Sequence, residues 1–375
     1  MTTDQVAFKI GLLGPSRVGK TSLVTAMLSE AQRMLAGSGV AMVAADTATE
    51  VVIDGNREAL QGDLLSGEFL HGSLLGTVEP TYFKLALDPG VPDARIDIEL
   101  LDFPGGWIKP KDRVGVEDQW EKCRKFIAAS TILLVPVDAS LLMETTEKEH
   151  LRLLPQFLTT VQVEQVARDW AIERNRRPEE PALVAFCPVK GEAYFNDNGG
   201  IKNRSVLLRQ RFDTVYAGVV QAVRAEAPKA TILYAPVDTI GCVELVRADW
   251  TKSSTGIWGF DAKYRVRGKA EISRMGVDDL MTAIAQQLIY GKRLAGAQES
   301  DDLRALANRA AEYAERSEGF FRDIWLWVNR ERQARRTAAA QHDREAREAL
   351  HRVLALDAVL EKIAAQRFGP RVSRL

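Results

Sequence analysis

The sequence predicts an α/β fold: a mostly parallel sheet with helices on both faces and an antiparallel edge strand, followed by a helical C-terminal region. Short apolar runs alternate with long helical stretches, which is typical of a parallel sheet, and after about Ser300 only helical patterns remain. The runs that predict strands are 7–13, 81–87, 96–102, 131–137, 182–187 and 230–236. The stretches that predict helices are 20–36, 56–66, 116–129, 143–176, 203–226 and 277–294.

The first strand and helix enclose a phosphate-binding motif. Residues 14–21 read Gly-Pro-Ser-Arg-Val-Gly-Lys-Thr, which fits G-x-x-x-x-G-K-[ST] in the strand–loop–helix context that this motif requires. Backbone N–H groups of such a loop surround phosphate oxygens. We expect Lys20 to contact the β- and γ-phosphates and the Thr21 hydroxyl to hold Mg²⁺. The predicted nucleotide-binding residues of this loop are Gly14, Pro15, Ser16, Arg17, Val18, Gly19, Lys20, Thr21 and Ser22.

Residues 37–80 are predicted to be an insertion, rich in small residues, with a helical core from Asn56 to Leu65. A threonine follows it in Glu79-Pro-Thr81, just before a strand. A threonine at this place can ligate Mg²⁺ through its hydroxyl and touch the γ-phosphate through its backbone. We therefore expect Thr81 to be a second metal ligand and a catalytic residue, with Thr77 as the nearby alternative.

The strand at 96–102 ends in Asp102-Phe-Pro-Gly105, a D-x-x-G sequence. A carboxylate at the end of a buried strand lies beside the phosphate loop and can hold Mg²⁺ through water, and the Gly105 N–H can meet the γ-phosphate. The turn at 88–93 is rich in Asp, Pro and Gly. It predicts a hairpin between 81–87 and 96–102, and hence the antiparallel pair at the sheet edge.

The order of these motifs resembles that of the P-loop GTPases of the Ras- and translation-factor-like (TRAFAC) branch, over roughly residues 6–290. The resemblance implies a P-loop NTPase fold that binds GTP and GDP with Mg²⁺. The residues that match the family's first three motifs are Gly14, Gly19, Lys20 and Thr21, then Thr81, then Asp102 and Gly105. The general layout is also similar to bacterial double-GTPase-type domains, which implies partner proteins in conflict or signalling systems.

The family's fourth motif, [NT]-K-x-D, reads guanine, and this chain departs from it. After strand 182–187 come Val189, Lys190 and Glu192, so the lysine-to-acid spacing is kept while Val replaces Asn or Thr and Glu replaces Asp. A carboxylate there accepts two hydrogen bonds that guanine can donate and adenine cannot. We expect Lys190 and Glu192 to contact the base. Asp238, after strand 230–236, is the alternative base reader.

A second departure concerns hydrolysis. In Ras-like members of the family a glutamine directly after D-x-x-G orients the attacking water, and here Gly106 and Trp107 stand at that point. Neither side chain can orient water. Arg17, within the phosphate loop, is a candidate internal cation for the phosphates. The resemblance therefore implies slow GTP hydrolysis without a partner, with Lys20, Thr81, Gly105 and Arg17 as the catalytic residues.

Composition excludes several other classes of protein. The 375 residues are 27% charged with a net charge of −1, which argues against a general nucleic-acid binder. The longest apolar stretch, 132–137, is too short to span a bilayer, and no secretion signal is expected. Three widely spaced cysteines fit neither a disulfide framework nor a zinc site, so we expect a cytoplasmic protein.

The C-terminal region contains two helical seams of apolar residues. They comprise Leu303, Leu306, Ala310, Tyr313, Phe320, Ile324 and Trp327, then Ala349, Val353, Leu356, Leu360 and Ile363. Such seams predict helices that pack on each other or on the core, or a coiled coil with a partner chain or a second copy. The predicted domains are 1–295 and 296–375. The expected function is a GTP-controlled switch, with a catalytically weak nucleotide-binding module or an ATPase as alternatives.

Overall fold

A mixed eight-stranded sheet flanked by helices forms the centre of the computed structural model, which describes residues 8–69, 77–91, 95–178, 180–301, 327–328, 331–335 and 344–375. In sheet order its strands are β11 (Ser373–Arg374), β8 (Thr231–Tyr234), β7 (Leu183–Val189), β6 (Ile132–Asp138), β1 (Phe8–Leu12), β5 (Ile96–Asp102), β4 (Thr81–Asp88) and β2 (Ala41–Ala44). The five strands from β8 to β5 are parallel, whereas β4, β2 and β11 each pair antiparallel with their neighbour. The predicted α/β fold with a mostly parallel sheet is confirmed.

Most helices overlap the predicted stretches, but two of the predicted stretches are interrupted and some helices begin earlier than predicted. In chain order they are α1 (Lys20–Leu35), α2 (Thr47–Ser66), α3 (Glu117–Ala129), α4 (Ala139–Glu144), α5 (Lys148–Leu151), α6 (Leu154–Phe157), α7 (Thr160–Asn175), α8 (Ser205–Val215), α9 (Ala217–Glu226), α10 (Val277–Asp301) and α11 (Arg344–Ala364). The predicted helix 143–176 is divided because Pro155 starts a new turn and Thr159 adopts a left-handed backbone conformation. The predicted helix 203–226 is interrupted at Tyr216.

The insertion at 37–80 is more regular than its composition suggests. Strand β2 extends the main sheet by pairing with β4. Helix α2 begins at Thr47 rather than at Asn56, because the Asp46 carboxylate accepts a 2.8 Å hydrogen bond from the Thr49 N–H and caps the helix.

A second, three-stranded antiparallel sheet lies mostly within residues 238–276, where the apolar runs of the sequence predict no strand. Its strands are β3 (Glu68–Phe69), β10 (Trp258–Val266) and β9 (Val243–Lys252), with β10 in the middle. Trp250 and Phe260 are a cross-strand pair, and the centroids of their rings are 5.5 Å apart. Charged residues are frequent in both β9 and β10, so the alternation of apolar and polar residues that is typical of a strand is hard to recognise in the sequence. The hairpin is stabilised because Val243, Ala262 and Tyr264 pack against Leu60 and Leu64 of α2.

The C-terminal residues that the structure describes belong to the same core. Helix α11 packs on α10, and Leu356, Leu360 and Ile363 are buried in the cluster that contains α1 and one face of the main sheet. The described side chains of the second predicted seam, from Val353 to Ile363, are therefore buried within the chain. The first seam, apart from the buried Trp327, lies outside the described residues. No helix in the described part of the chain is both long and apolar enough to cross a membrane.

We expect Leu356→Ala to lower the free energy of unfolding by about 2–5 kcal/mol, because it leaves a cavity in the shared core. Leu354→Ala is the matched control, since Leu354 lies on the same helix and is 36% exposed whereas Leu356 is fully buried. Urea unfolding measures both variants. Equal small effects would contradict the packing of α11 on the core.

Candidate functional site

The candidate site lies where the parallel strands end. The carboxyl ends of β1, β5, β6 and β7 meet at one edge of the sheet, so the residues that follow these strands form neighbouring loops. The loop after β1 is residues 13–19, called here the phosphate loop. Its last residue, Gly19, adopts a left-handed conformation at the start of α1, where no side chain caps the helix.

Lys20 is buried beneath the phosphate loop. Its ammonium donates hydrogen bonds to the carbonyl oxygens of Gly14 (3.2 Å) and Pro15 (3.1 Å). Burial lowers the pKa of Lys20, and the nearby Asp102 carboxylate opposes that shift. The loop thus holds a desolvated cation, and such a cation gains more from an incoming anion than an exposed lysine would.

Two hydroxyl groups from distant segments converge on one carboxylate next to this lysine. Thr21 and Thr77 both donate to Oδ2 of Asp102, at 2.7 and 2.9 Å, and their own oxygens are 3.4 Å apart. Asp102 is almost fully buried, and within the described structure its other oxygen, Oδ1, has no hydrogen-bond partner. A buried oxygen without a partner is costly, so this atom is a place where a ligand would be stabilised.

Thr77 rather than Thr81 contacts this cluster. Thr81 is the first residue of β4 and lies opposite Asp102 in the antiparallel register, and no hydrogen bond joins its hydroxyl to Thr21 or Asp102 within the described structure. The sequence pattern selected Thr81 because it directly precedes a strand. Only the tertiary structure, in which Thr77 contacts Asp102, distinguishes the two threonines.

Gly105 lies against the backbone of the phosphate loop. A Cβ atom at this position would lie 2.2 Å from the Pro15 carbonyl carbon and from the Ser16 nitrogen, so only glycine fits. At Gly106 the nearest atom to such a Cβ would be the Ser16 hydroxyl, at 3.7 Å. The glycine of the D-x-x-G sequence therefore sets the distance between the two loops.

The segment after Gly105 is held by Arg113, which is not directed at the phosphate loop. Its guanidinium donates to the carbonyls of Trp107 (2.6 Å) and Ile108 (2.9 Å) and lies 4.2 Å from the Trp120 ring centroid. The Trp107 side chain is buried. Arg17, by contrast, is exposed at the tip of the phosphate loop and has a left-handed backbone conformation.

Lys190 connects the loop after β7 with the phosphate loop. Its ammonium donates to the Arg17 carbonyl (2.8 Å) and to Oδ2 of Asp138 (2.6 Å). Burial opposes ionisation of Asp138, but Lys190 and further hydrogen bonds outweigh it and lower the pKa of Asp138. Sequence reasoning missed Asp138, although it carries the signal that identified Asp102, a carboxylate directly after a buried apolar strand.

The two carboxylates predicted to read the base both point inward. Glu192 is buried and accepts a 3.4 Å hydrogen bond from the Gly241 N–H, and burial together with the neighbouring Asp238 raises the pKa of Glu192 to about 7. Asp238 is fully buried and accepts hydrogen bonds from Arg371 (2.9 and 3.0 Å) and Asn198 (2.8 Å). Asp238 thus already has an arginine and an amide side chain as partners, whereas Glu192 is held by backbone amides, among them those of Ile240 and Gly241.

Comparison with known proteins adds no assignment. No protein-family model matches the chain, and no curated protein matches it.

We expect Gly105→Ala to destabilise the protein by about 1–3 kcal/mol, since its methyl group would force the two loops apart. Gly106→Ala is the matched control, because its methyl group would meet no atom closer than ordinary contact distance. Thermal and urea unfolding of both variants provide the comparison. A Gly105→Ala variant as stable as the control would mean that the two loops are not in this close contact.

Proposed function

We propose that this protein binds GTP with Mg²⁺, hydrolyses it slowly and acts as a nucleotide-controlled switch for a partner protein. The observation that carries the proposal is the convergence of Thr21 and Thr77 on Asp102 beside the buried Lys20. The sheet order also supports it. The phosphate-loop strand β1 lies in the centre and the D-x-x-G strand β5 beside it, an arrangement compatible with the P-loop NTPase fold.

The residues around Asp102 fit a magnesium ion. Mg²⁺ prefers hard oxygen ligands, and the cluster offers two hydroxyl groups and a carboxylate with one buried oxygen unpartnered in the described structure. We infer that Thr21 and Thr77 would hold the ion directly and that Asp102 would hold it directly or through water. Bound there, Mg²⁺ would neutralise negative charge on the phosphates. Lys20 would exchange its two carbonyl contacts for phosphate oxygens.

The preference for guanine is assigned to the turn from Lys190 to Glu192. Lys190 bonds the Arg17 carbonyl, so this turn lies directly beside the phosphate loop. Of the two candidate carboxylates, Glu192 is favoured because Asp238 is saturated by Arg371 and Asn198. To accept hydrogen bonds from guanine, Glu192 would have to be ionised, and it could keep the Gly241 amide contact because each carboxylate oxygen accepts more than one hydrogen bond.

Slow hydrolysis follows from the groups near the phosphate loop. Gly106 has no side chain, Trp107 is buried, and Arg113 is engaged with backbone carbonyls. Of the two arginines, Arg17 and Arg113, the exposed Arg17 is therefore the candidate within this chain for stabilising charge on the phosphates during hydrolysis. The same observations favour a second candidate function, a nucleotide-binding interaction module with very weak catalysis. Single-turnover hydrolysis separates the two.

The direct test is equilibrium binding of GTP, GDP and ATP, with and without Mg²⁺, followed by single-turnover hydrolysis. We expect wild-type protein to prefer guanine nucleotides and to turn over about once per hour or slower. Lys20→Ala should weaken GTP binding roughly tenfold to a hundredfold, because one charge-assisted bond to phosphate is lost. Lys122→Ala, at an exposed position on α3, is the control. A folded Lys20→Ala variant with unchanged GTP affinity would overturn the proposed phosphate binding. Equal binding of ATP and GTP by the wild-type protein would overturn the proposed preference for guanine.

The assignment of the metal ligands is tested by comparing the two threonines. Thr77→Ala should weaken GTP binding in Mg²⁺ much more than in EDTA, because the proposed ligand is lost only when the ion is present. Thr81→Ala should change neither value by more than about twofold, or 0.4 kcal/mol. The reverse result would restore Thr81 as the ligand and would show that the threonine cluster rearranges when nucleotide binds.

A further inference from the structure

The last residues of the chain are attached first to helix α10 and then to strand β8 of the main sheet. After α11, the Gly369 N–H donates to Asp279 (2.8 Å), and β11 pairs antiparallel with β8, with Ser373 opposite Tyr234. The Leu375 N–H then donates to the Ile232 carbonyl at 2.9 Å. We call residues 369–375 the C-terminal segment. Its attachment brings Arg371 close to Asp238, the first residue of the loop 238–241, which follows β8 in the chain.

Arg371 forms a buried bridge between two carboxylates. Its guanidinium contacts both oxygens of Asp238, at 2.9 and 3.0 Å, and both oxygens of Asp197, one of them at 2.8 Å. It also lies 4.0 Å from the centroid of the Phe195 ring, and its side chain is only 4% exposed. A planar guanidinium with five donors suits such a site, and a lysine ammonium could not contact both carboxylates in this way.

Asp238 is one of the residues that hold the loop 238–241, together with Arg274, which donates to the Thr239 carbonyl at 3.0 Å, and Arg267, which donates to the Gly241 carbonyl at 3.1 Å. The backbone N–H of Asp238 donates to the Met275 carbonyl at 3.0 Å, and its carboxylate also accepts from Asn198. At the other end of the loop the Gly241 N–H contacts Glu192, the proposed guanine reader. Removal of Arg371 would leave the Asp238 carboxylate buried with Asn198 as its remaining partner, and a buried charge with too few partners forces a rearrangement.

We propose that Arg371 is a positioning residue for the nucleotide base, and that the C-terminal segment is therefore part of the nucleotide site. Arg371 holds Asp238, Asp238 holds the loop 238–241, and the loop places Glu192. This inference rests on the proposed function for its ligand, a guanine nucleotide. In the described structure the hydrogen bonds, ion pairs and ring contact of Arg371 involve Asp197, Asp238 and Phe195 and not the phosphate loop or Lys20, so base binding and phosphate binding should respond differently to its loss.

The test uses the full-length chain with Arg371→Gln, and Arg374→Gln as the control, because Arg374 is an exposed arginine of the same segment. Binding is measured for GTP and for inorganic tripolyphosphate, which carries the phosphates without the base. We expect Arg371→Gln to weaken GTP binding at least tenfold and to leave tripolyphosphate binding unchanged, while Arg374→Gln changes neither. Unchanged GTP binding would overturn the inference. Equal losses for both ligands would also overturn it, because they would indicate general damage to the fold.

Hydrogen–deuterium exchange of the nucleotide-free protein tests the same inference without a ligand. The amides of residues 239–242 should exchange faster in Arg371→Gln than in wild type, whereas the amides of α1 should not change. If wild-type protein binds neither GTP nor tripolyphosphate, the proposed function fails, and the exchange measurement still decides whether Arg371 holds the loop.

Asp197→Asn keeps the test decisive if Arg371→Gln does not fold. It removes charge from the outer partner of Arg371 and leaves the buried pair with Asp238 intact. We expect a smaller effect in the same direction, roughly threefold on GTP, no effect on tripolyphosphate, and faster exchange at 239–242. Wild-type values in all three measurements would overturn the inference.

Discussion

The parallel pairing of β1 with β5 on one side and β6 on the other is the constraint on which the site depends. Phe8 lies opposite Ile98, and Leu12 lies opposite Leu134. Because the three strands point the same way, the segments that follow them emerge at one edge of the sheet. The phosphate loop therefore meets the Asp102 loop on one side and the Asp138 loop on the other. Both faces of the sheet are apolar, and this requires a layer of helices on each.

Several buried charged groups lie at this same edge, and most of those have a charged or hydrogen-bonding partner. Lys190 neutralises Asp138, Arg371 neutralises Asp238, and Lys20 is surrounded by loop carbonyls. Each of these groups would be expensive to bury alone, so each pair determines how two loops lie relative to one another. Asp102 is an exception, because its Oδ1 has no hydrogen-bond partner in the described structure. This oxygen belongs to the proposed metal site, where a bound ion or its water would supply the missing partner.

Segments that are remote in sequence meet at the two ends of the site. At one end, the insertion contributes Thr77 to the cluster at Asp102. At the other, the β9–β10 hairpin reaches the Asp138 network, since the Tyr264 hydroxyl lies 2.5 Å from the Ser140 hydroxyl, which donates to Asp138. The C-terminal segment reaches the adjacent loop through Arg371. The insertion, the β9–β10 hairpin and the C-terminal segment therefore each contribute a residue to the site or hold one of its loops.

The sequence by itself determined six strands of the main sheet, the glycine-containing loop after β1 and the position of Asp102 at a strand end, because these are local features. An apolar run encodes a buried strand, glycines permit a tight loop, and a polar residue at a strand end marks the sheet edge. The choice between Thr77 and Thr81, the pairing of Asp238 with Arg371 and the β9–β10 hairpin were decided only by tertiary structure. Arg371 lies 133 residues from Asp238, and no local pattern records which distant charge will neutralise a buried carboxylate. That choice depends on how the helices and the sheet pack, because only packing brings the C-terminal segment to the end of β8.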